Sequence, residues 1–251
     1  MKGIYKIILA GGLLVPLSSF ADGSILDGVR MGEVNFNLEF NTAVNLALEL
    51  ANESEGNVEN SRRSLHPDMA PNFASITRVD GGRLEDNWEI MTDGDSITYL
   101  YRSELYPEYQ DYTNYPSIEA TRRLLISNMG EPTLTEEVPE TEGRPRGYMM
   151  WFEDSTGTLL HEGDQVGLCP LYQELFKPVP NLIQLEGHDL SNCGAVVIFE
   201  YLLVGGDSRF FYNYHYSAFD VESQLEYIIP ALDSRQELMD QESAEGSTPV
   251  F

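Results

Sequence analysis

His161-Glu162 and His188-Asp189 are the first residues in this chain whose types suit chemistry. An imidazole beside a carboxylate is what a metal site or a general base employs. Both pairs lie near the segment bounded by Cys169 and Cys193, the two cysteines of the chain. With 41 acidic residues present, an acidic neighbour for a histidine also arises by chance, and these read first as surface or loop histidines. His215, between Tyr214 and Tyr216, reads as a half-exposed residue of a strand. Asp93-Gly94-Asp95, with Glu85 and Asp86 close by, offers oxygen ligands of the kind calcium takes, but the spacing of an EF-hand is absent and no metal site is expected. A hydrolase reading draws on scattered carboxylates such as Glu153 and Asp154, with His161, because glycosidase acids carry no local signature. The chain holds no G-x-S-x-G elbow, H-E-x-x-H helix, P-loop or G-x-G-x-x-G turn, and no cofactor is implied.

The most distinctive local pattern is Tyr106, Tyr109, Tyr112 and Tyr115, one tyrosine at every third position with prolines, amides and acids between. A period of three lines one side of a polyproline-like or 3-10 segment. Tyrosines presented this way can stack on a sugar or grip a peptide at low entropic cost, so these four are the candidate binding residues. The alternative is a long loop that lies down on a sheet with its hydroxyls wet.

Hairpins are the elements expected to position these groups. Asp80-Gly81-Gly82, Asp93-Gly94-Asp95, Asp154-Ser155-Thr156-Gly157 and Gly205-Gly206-Asp207-Ser208 are turn signals between strand-like runs. Val34, Phe36, Leu38 and Phe40 alternate with polar residues and predict a half-buried strand. Residues 43–51 suit a helix capped by Asn41-Thr42, with a second strand as the alternative. Residues 52–65 read as a polar loop. Ser117 to Gly130 is a helix with a serine cap and a glycine stop, followed by an edge strand or loop over 133–141. Asp220 caps a last helix, and residues 241–251 read as a disordered tail. Trp88–Leu100 and Tyr148–Leu160 share a faint pattern that raises two similar halves, 22–116 and 117–240. Strands and helices do not alternate regularly. The fold class expected is α+β, a mainly antiparallel sheet built from hairpins with two or three packed helices.

The amino terminus reads as a secretory signal peptide. Lys2 and Lys6 precede an apolar run over 7–17, and Ser19-Phe20-Ala21 places small residues for cleavage before Asp22. The run is shorter than the ~20 residues a membrane span needs, and no later segment qualifies. The expected product is an exported, not membrane-spanning domain over 22–240, in a periplasm or outside the cell. An oxidising compartment turns the cysteine pair Cys169 and Cys193 into an expected disulfide. The formal net charge of −26 repels phosphate backbones, so nucleic acid is excluded as a partner. After the leader Lys177 is the one lysine, a composition suited to salty water or simply to an acidic exported protein. The functional expectation is a non-catalytic binding module for a protein, peptide or sugar, with a secreted hydrolase or a structural or accessory envelope protein as alternatives.

Overall fold

Gly81, Gly82 and Gly94 adopt φ of 54°, 81° and 112°, values open mostly to glycine. They turn the chain at the first two predicted hairpins. The computed structural model describes residues 23–64, 70, 72–106, 116–138, 145–161, 191–204, 207–223 and scattered positions between 230 and 241. Eight strands form one antiparallel sheet: β1 (Asn57–Arg63), β2 (Phe73–Asp80), β3 (Arg83–Thr92), β4 (Ile97–Leu105), β5 (Leu134–Val138), β6 (Arg146–Asp154), β7 (Cys193–Val204) and β8 (Asp207–Asp220). Their order across the sheet is β1-β2-β3-β4-β8-β7-β6-β5. Helix α1 (Phe40–Asn52) precedes β1, α2 (Ile118–Met129) precedes β5, and a helix starts at Val221–Ser223. This is the expected α+β fold dominated by an antiparallel sheet.

A helix followed by four strands occurs twice, and the two sets meet at β4 and β8 in mid-sheet. Equivalent positions in that order are the hairpins β3–β4 and β7–β8. The faint likeness of Trp88–Leu100 to Tyr148–Leu160 therefore does not mark it. The first stretch is a hairpin of two long strands, whereas the second is the end of β6 and a turn that returns through one bridge, Glu153 to Leu159. A single continuous sheet crosses both stretches 22–116 and 117–240.

Alternate side chains on a strand face opposite sides. On one face Ile76, Trp88, Leu100, Trp151, Val197 and Phe199 pack beneath Ala43, Val44 and Ala47 of α1 and Leu125 and Met129 of α2. The other face carries a second buried cluster that includes Phe73, Met91, Tyr99, Phe152, Val196 and Phe219. Ser117 caps α2, its hydroxyl accepting from the Ala120 amide at 3.2 Å, and Gly130 closes it at φ 83°. Leu124 of α2 lies off this buried face and is 59% exposed.

Three local expectations are corrected. Residues 34–40 form no strand. Val34 pairs back with Met31 across a tight turn, and the Asn35 side chain accepts from the Asn37 amide at 3.0 Å. Asparagine side chains compete for the ladder's hydrogen bonds in this way. The helix then begins at Phe40 behind Glu39, earlier than Asn41-Thr42 and with no side-chain cap bond. Residues 52–65 are not simply a loop, since β1 runs through them as an exposed edge strand paired with β2. The edge strand β5 falls within 133–141 as expected. Asp220 accepts from the Ser223 amide at 3.0 Å as the helix starts there.

Cys193 opens β7, buried and not a free thiol. Cys169, the leader over 1–21 and all of the tail except Gln241 lie outside the described residues. Among the described residues no helix is long and apolar enough to cross a membrane.

Candidate functional site

A belt of polar side chains crosses the sheet face opposite α1 and α2 in two adjacent register rows. One row holds Ser75 of β2, Glu89 of β3, Tyr101 of β4 and Ser217 of β8, and the next holds Ser103 of β4, His215 of β8, Glu200 of β7, Tyr148 of β6 and Glu136 of β5. The central members are half-buried. One step along the strands lies the apolar row of Phe73, Met91, Tyr99, Phe219, Val196 and Phe152. That apolar row is buried, so what this face presents is the half-buried polar groups across its middle.

At its centre, Tyr101 Oη and His215 Nδ1 share a hydrogen bond of 2.8 Å, across 114 residues of sequence. The two rings stack with centroids 6.1 Å apart. Burial is the main influence that pushes the Tyr101 hydroxyl above its ordinary range. At the belt's edge the Tyr148 hydroxyl donates to Glu136 at 2.5 Å, and that bond chiefly holds the phenol proton, up to about 12.

Glu89 is the unusual member. Burial pushes its carboxyl up to about 7, against the opposing pull of the Arg63 charge and a hydrogen bond with Asn87. Glu89 Oε2, Tyr99 Oη and Asn213 Oδ1, all on this face, are buried without a hydrogen-bond partner. Buried polar groups ordinarily have partners, and each exception asks for an account.

The opposite face carries the structural counterpart. Asp86 of β3, Arg102 and Glu104 of β4 and Tyr214 of β8 make one ionic cluster. Arg102 reaches Asp86 at 3.2 Å and Glu104 at 3.1 Å, and the Tyr214 hydroxyl donates to Glu104 at 3.0 Å. Trp88 donates to Asp86 at 3.1 Å and lies under the Arg102 guanidinium, 4.5 Å from its ring centroid. Arg102 and Tyr214 are chain neighbours of Tyr101 and His215. The cluster therefore clamps, from behind, the strands that present the belt.

Tyr106 falls on the helix side, half-buried and packed against the core with its ring centroid 6.3 Å from that of Tyr214. Tyr109, Tyr112 and Tyr115 lie outside the described residues, as do His66, Glu162, His188 and Asp189. Both roots of the segment 107–115 are tied to neighbouring residues of β8. The Tyr106 amide donates to Tyr212 at 2.8 Å, and the Phe211 amide donates to Pro116 at 3.4 Å.

The carboxylates of the hydrolase reading have local structural work. Glu153 accepts from the Ile25 amide at 2.6 Å and so ties down the 3-10 turn Ile25–Gly28, although burial still raises its pKa. Asp154 accepts from Thr156 and Thr158 in its own turn, bonds that depress its pKa. His161 is exposed. Glu153→Ala should therefore cost about 2 kcal/mol, the worth of a buried charged hydrogen bond. Hydrogen exchange should then speed at residues 25–31; unchanged protection there would contradict the tie.

The calcium candidates are not brought together. Asp93 accepts from Asp95 and Ser96 within its turn, while Glu85 pairs with Arg78 at 2.7 Å and Asp86 with Arg102. Among the described residues no group of three metal-ligating side chains converges.

His215 was legible as a half-exposed strand residue, whereas Glu89 and Glu200 were overlooked. Their signal is a lone carboxylate inside an apolar strand, Trp88-Glu89-Ile90-Met91 and Ile198-Phe199-Glu200-Tyr201. A charge there must be buried or aimed at something. No family model, no curated protein and no solved structure matches this chain.

Proposed function

We propose that this chain is an exported, acidic, non-catalytic binding module whose ligand surface is the sheet face opposite α1 and α2. The observation that carries the reading is the belt from Glu89 to Tyr148, half-buried polar groups on two adjacent register rows. Such groups offer a ligand directional hydrogen bonds. The leader-like residues 1–21 support export to a periplasm or the medium, and the charge of −26 favours neutral or cationic partners such as a sugar, peptide or basic protein. Tyr109, Tyr112 and Tyr115 are proposed as a second contact element, since both roots of their segment are held on β8.

The test is hydrogen exchange of the exported protein against a panel of neutral oligosaccharides and basic peptides. A ligand of this face will protect amides of β4 and β8. Protection confined to α1 and α2 would refute the assignment.

Export also implies the cross-link Cys169–Cys193, supported by the absence of a free thiol at Cys193. A loop of about 25 residues closed by a disulfide contributes about 3.5 kcal/mol in the chain-entropy picture. Strong reductant should lower the melting temperature by several degrees, and an unchanged melt would remove the cross-link.

A further inference from the structure

We infer that Glu89, Tyr99 and Tyr101 form a binding site for a small organic ammonium group. The inference rests on the reading of the sheet face opposite α1 and α2 as a ligand surface, and narrows it.

Glu89 Oε2 is a buried acceptor without a partner. Tyr99, 1% exposed, carries a hydroxyl that is also unpartnered. That hydroxyl lies within electrostatic reach of the Glu89 carboxylate and the Tyr101 phenol. An ammonium supplies up to three N–H donors and the opposite charge, which is what two open acceptors and a carboxylate lack. Aromatic rings flank these acceptors, since Tyr99 packs on Phe219 with ring centroids 4.8 Å apart and the half-buried Tyr101 stands beside it on the same face. Aromatic faces attract alkylammonium ions. The acidity of the whole chain raises the local concentration of cations.

The groups that face Glu89 are Arg63 of β1, Asn87 of its own strand, and Tyr99 and Tyr101 of β4, with His215 of β8 and Glu200 of β7 beyond Tyr101. Arg63 is exposed, its guanidinium 4.5 Å from the Phe73 ring centroid. From that position it offsets burial only in part, and the Glu89 carboxyl still sits at about 7. An ammonium within the site acts on the same carboxylate from closer range, so binding drives off the Glu89 proton. Affinity therefore rises with pH and levels off above about 7. A carboxylate in water has a pKa near 4, which lies outside that region.

The test is amide chemical-shift mapping of the full exported protein titrated with n-butylammonium chloride at constant ionic strength, at pH 8 and pH 5.5. Saturable shifts are expected at Glu89, Tyr99 and Tyr101, with a dissociation constant at least about tenfold weaker at pH 5.5. Glu89→Gln should weaken binding about tenfold or more at pH 8 and abolish the pH dependence, while His215→Gln should retain it. Non-saturating shifts scattered over surface acids would overturn the ammonium site. Saturable shifts on this face that Glu89→Gln leaves unchanged would also overturn it, yet leave the broader reading of the face standing. Saturable shifts confined to the α1 and α2 face would overturn both.

Discussion

Arg102→Leu is expected to cost about 3–5 kcal/mol of folding stability, because it strips the counter-charge from carboxylates held out of water. Asp86 is 2% exposed and Glu104 is half-buried, and both face Arg102. The stacking of the guanidinium on Trp88 is lost as well. The loss has a characteristic pH dependence. Burial already raises the Asp86 pKa, with Arg102 as the main opposing influence. Without Arg102 the folded-state pKa climbs further, so the folded protein binds a proton the unfolded chain releases. The variant then regains stability as pH falls through that raised value. Urea unfolding at pH 7.5 and pH 5 measures this. A pH-independent cost below 1 kcal/mol would mean that the cluster clamps nothing.

Glu89→Gln is expected to act in the opposite direction and to stabilise the fold by up to about 3 kcal/mol above pH 7. The carboxyl is raised from 4.5 to about 7 by burial. Below pH 4.5 both folded and unfolded chains hold the proton and Glu89 costs nothing. Between 4.5 and 7 the unfolded chain releases it first, so this residue's contribution to stability falls as pH rises. Above 7 the whole penalty is present. The difference between wild type and variant should therefore open across that window and stay constant beyond it. A residue that destabilises its own fold is what a site kept for binding looks like, since function there competes with stability. A variant no more stable than wild type at pH 8 would show Glu89 to be well solvated and would remove the energetic reason for its place in the site.

The parts of the fold that were legible are those written in local chemistry. Glycines at positive φ marked the hairpins at 81–82 and 94, and Ser117 and Gly130 marked both ends of α2. Alternation misled at Val34 to Phe40, where turns rather than a ladder bury Val34 and Phe36. Strand β1 was hidden because an edge strand buries almost nothing, and its sequence, Asn57-Val58-Glu59-Asn60-Ser61-Arg62-Arg63, shows no apolar period. The belt was illegible for a different reason. Glu89 and Tyr101 share a hairpin, but Tyr101 meets His215 only through the pairing of β4 with β8. A long-range pairing of that kind leaves no mark on either strand, and the tyrosine series drew attention to Tyr106, which packs on the other side of the sheet.

Native mass spectrometry of the full chain recovered after export tests the account most directly, comparing wild type with Ser217→Trp, a substitution that crowds the belt between Tyr101 and Ile198. The account predicts a wild-type mass lacking residues 1–21 and two hydrogens, with a non-covalent small-molecule adduct that a folded Ser217→Trp variant has lost. A leader still attached, or an adduct that the variant keeps in equal measure, would contradict it.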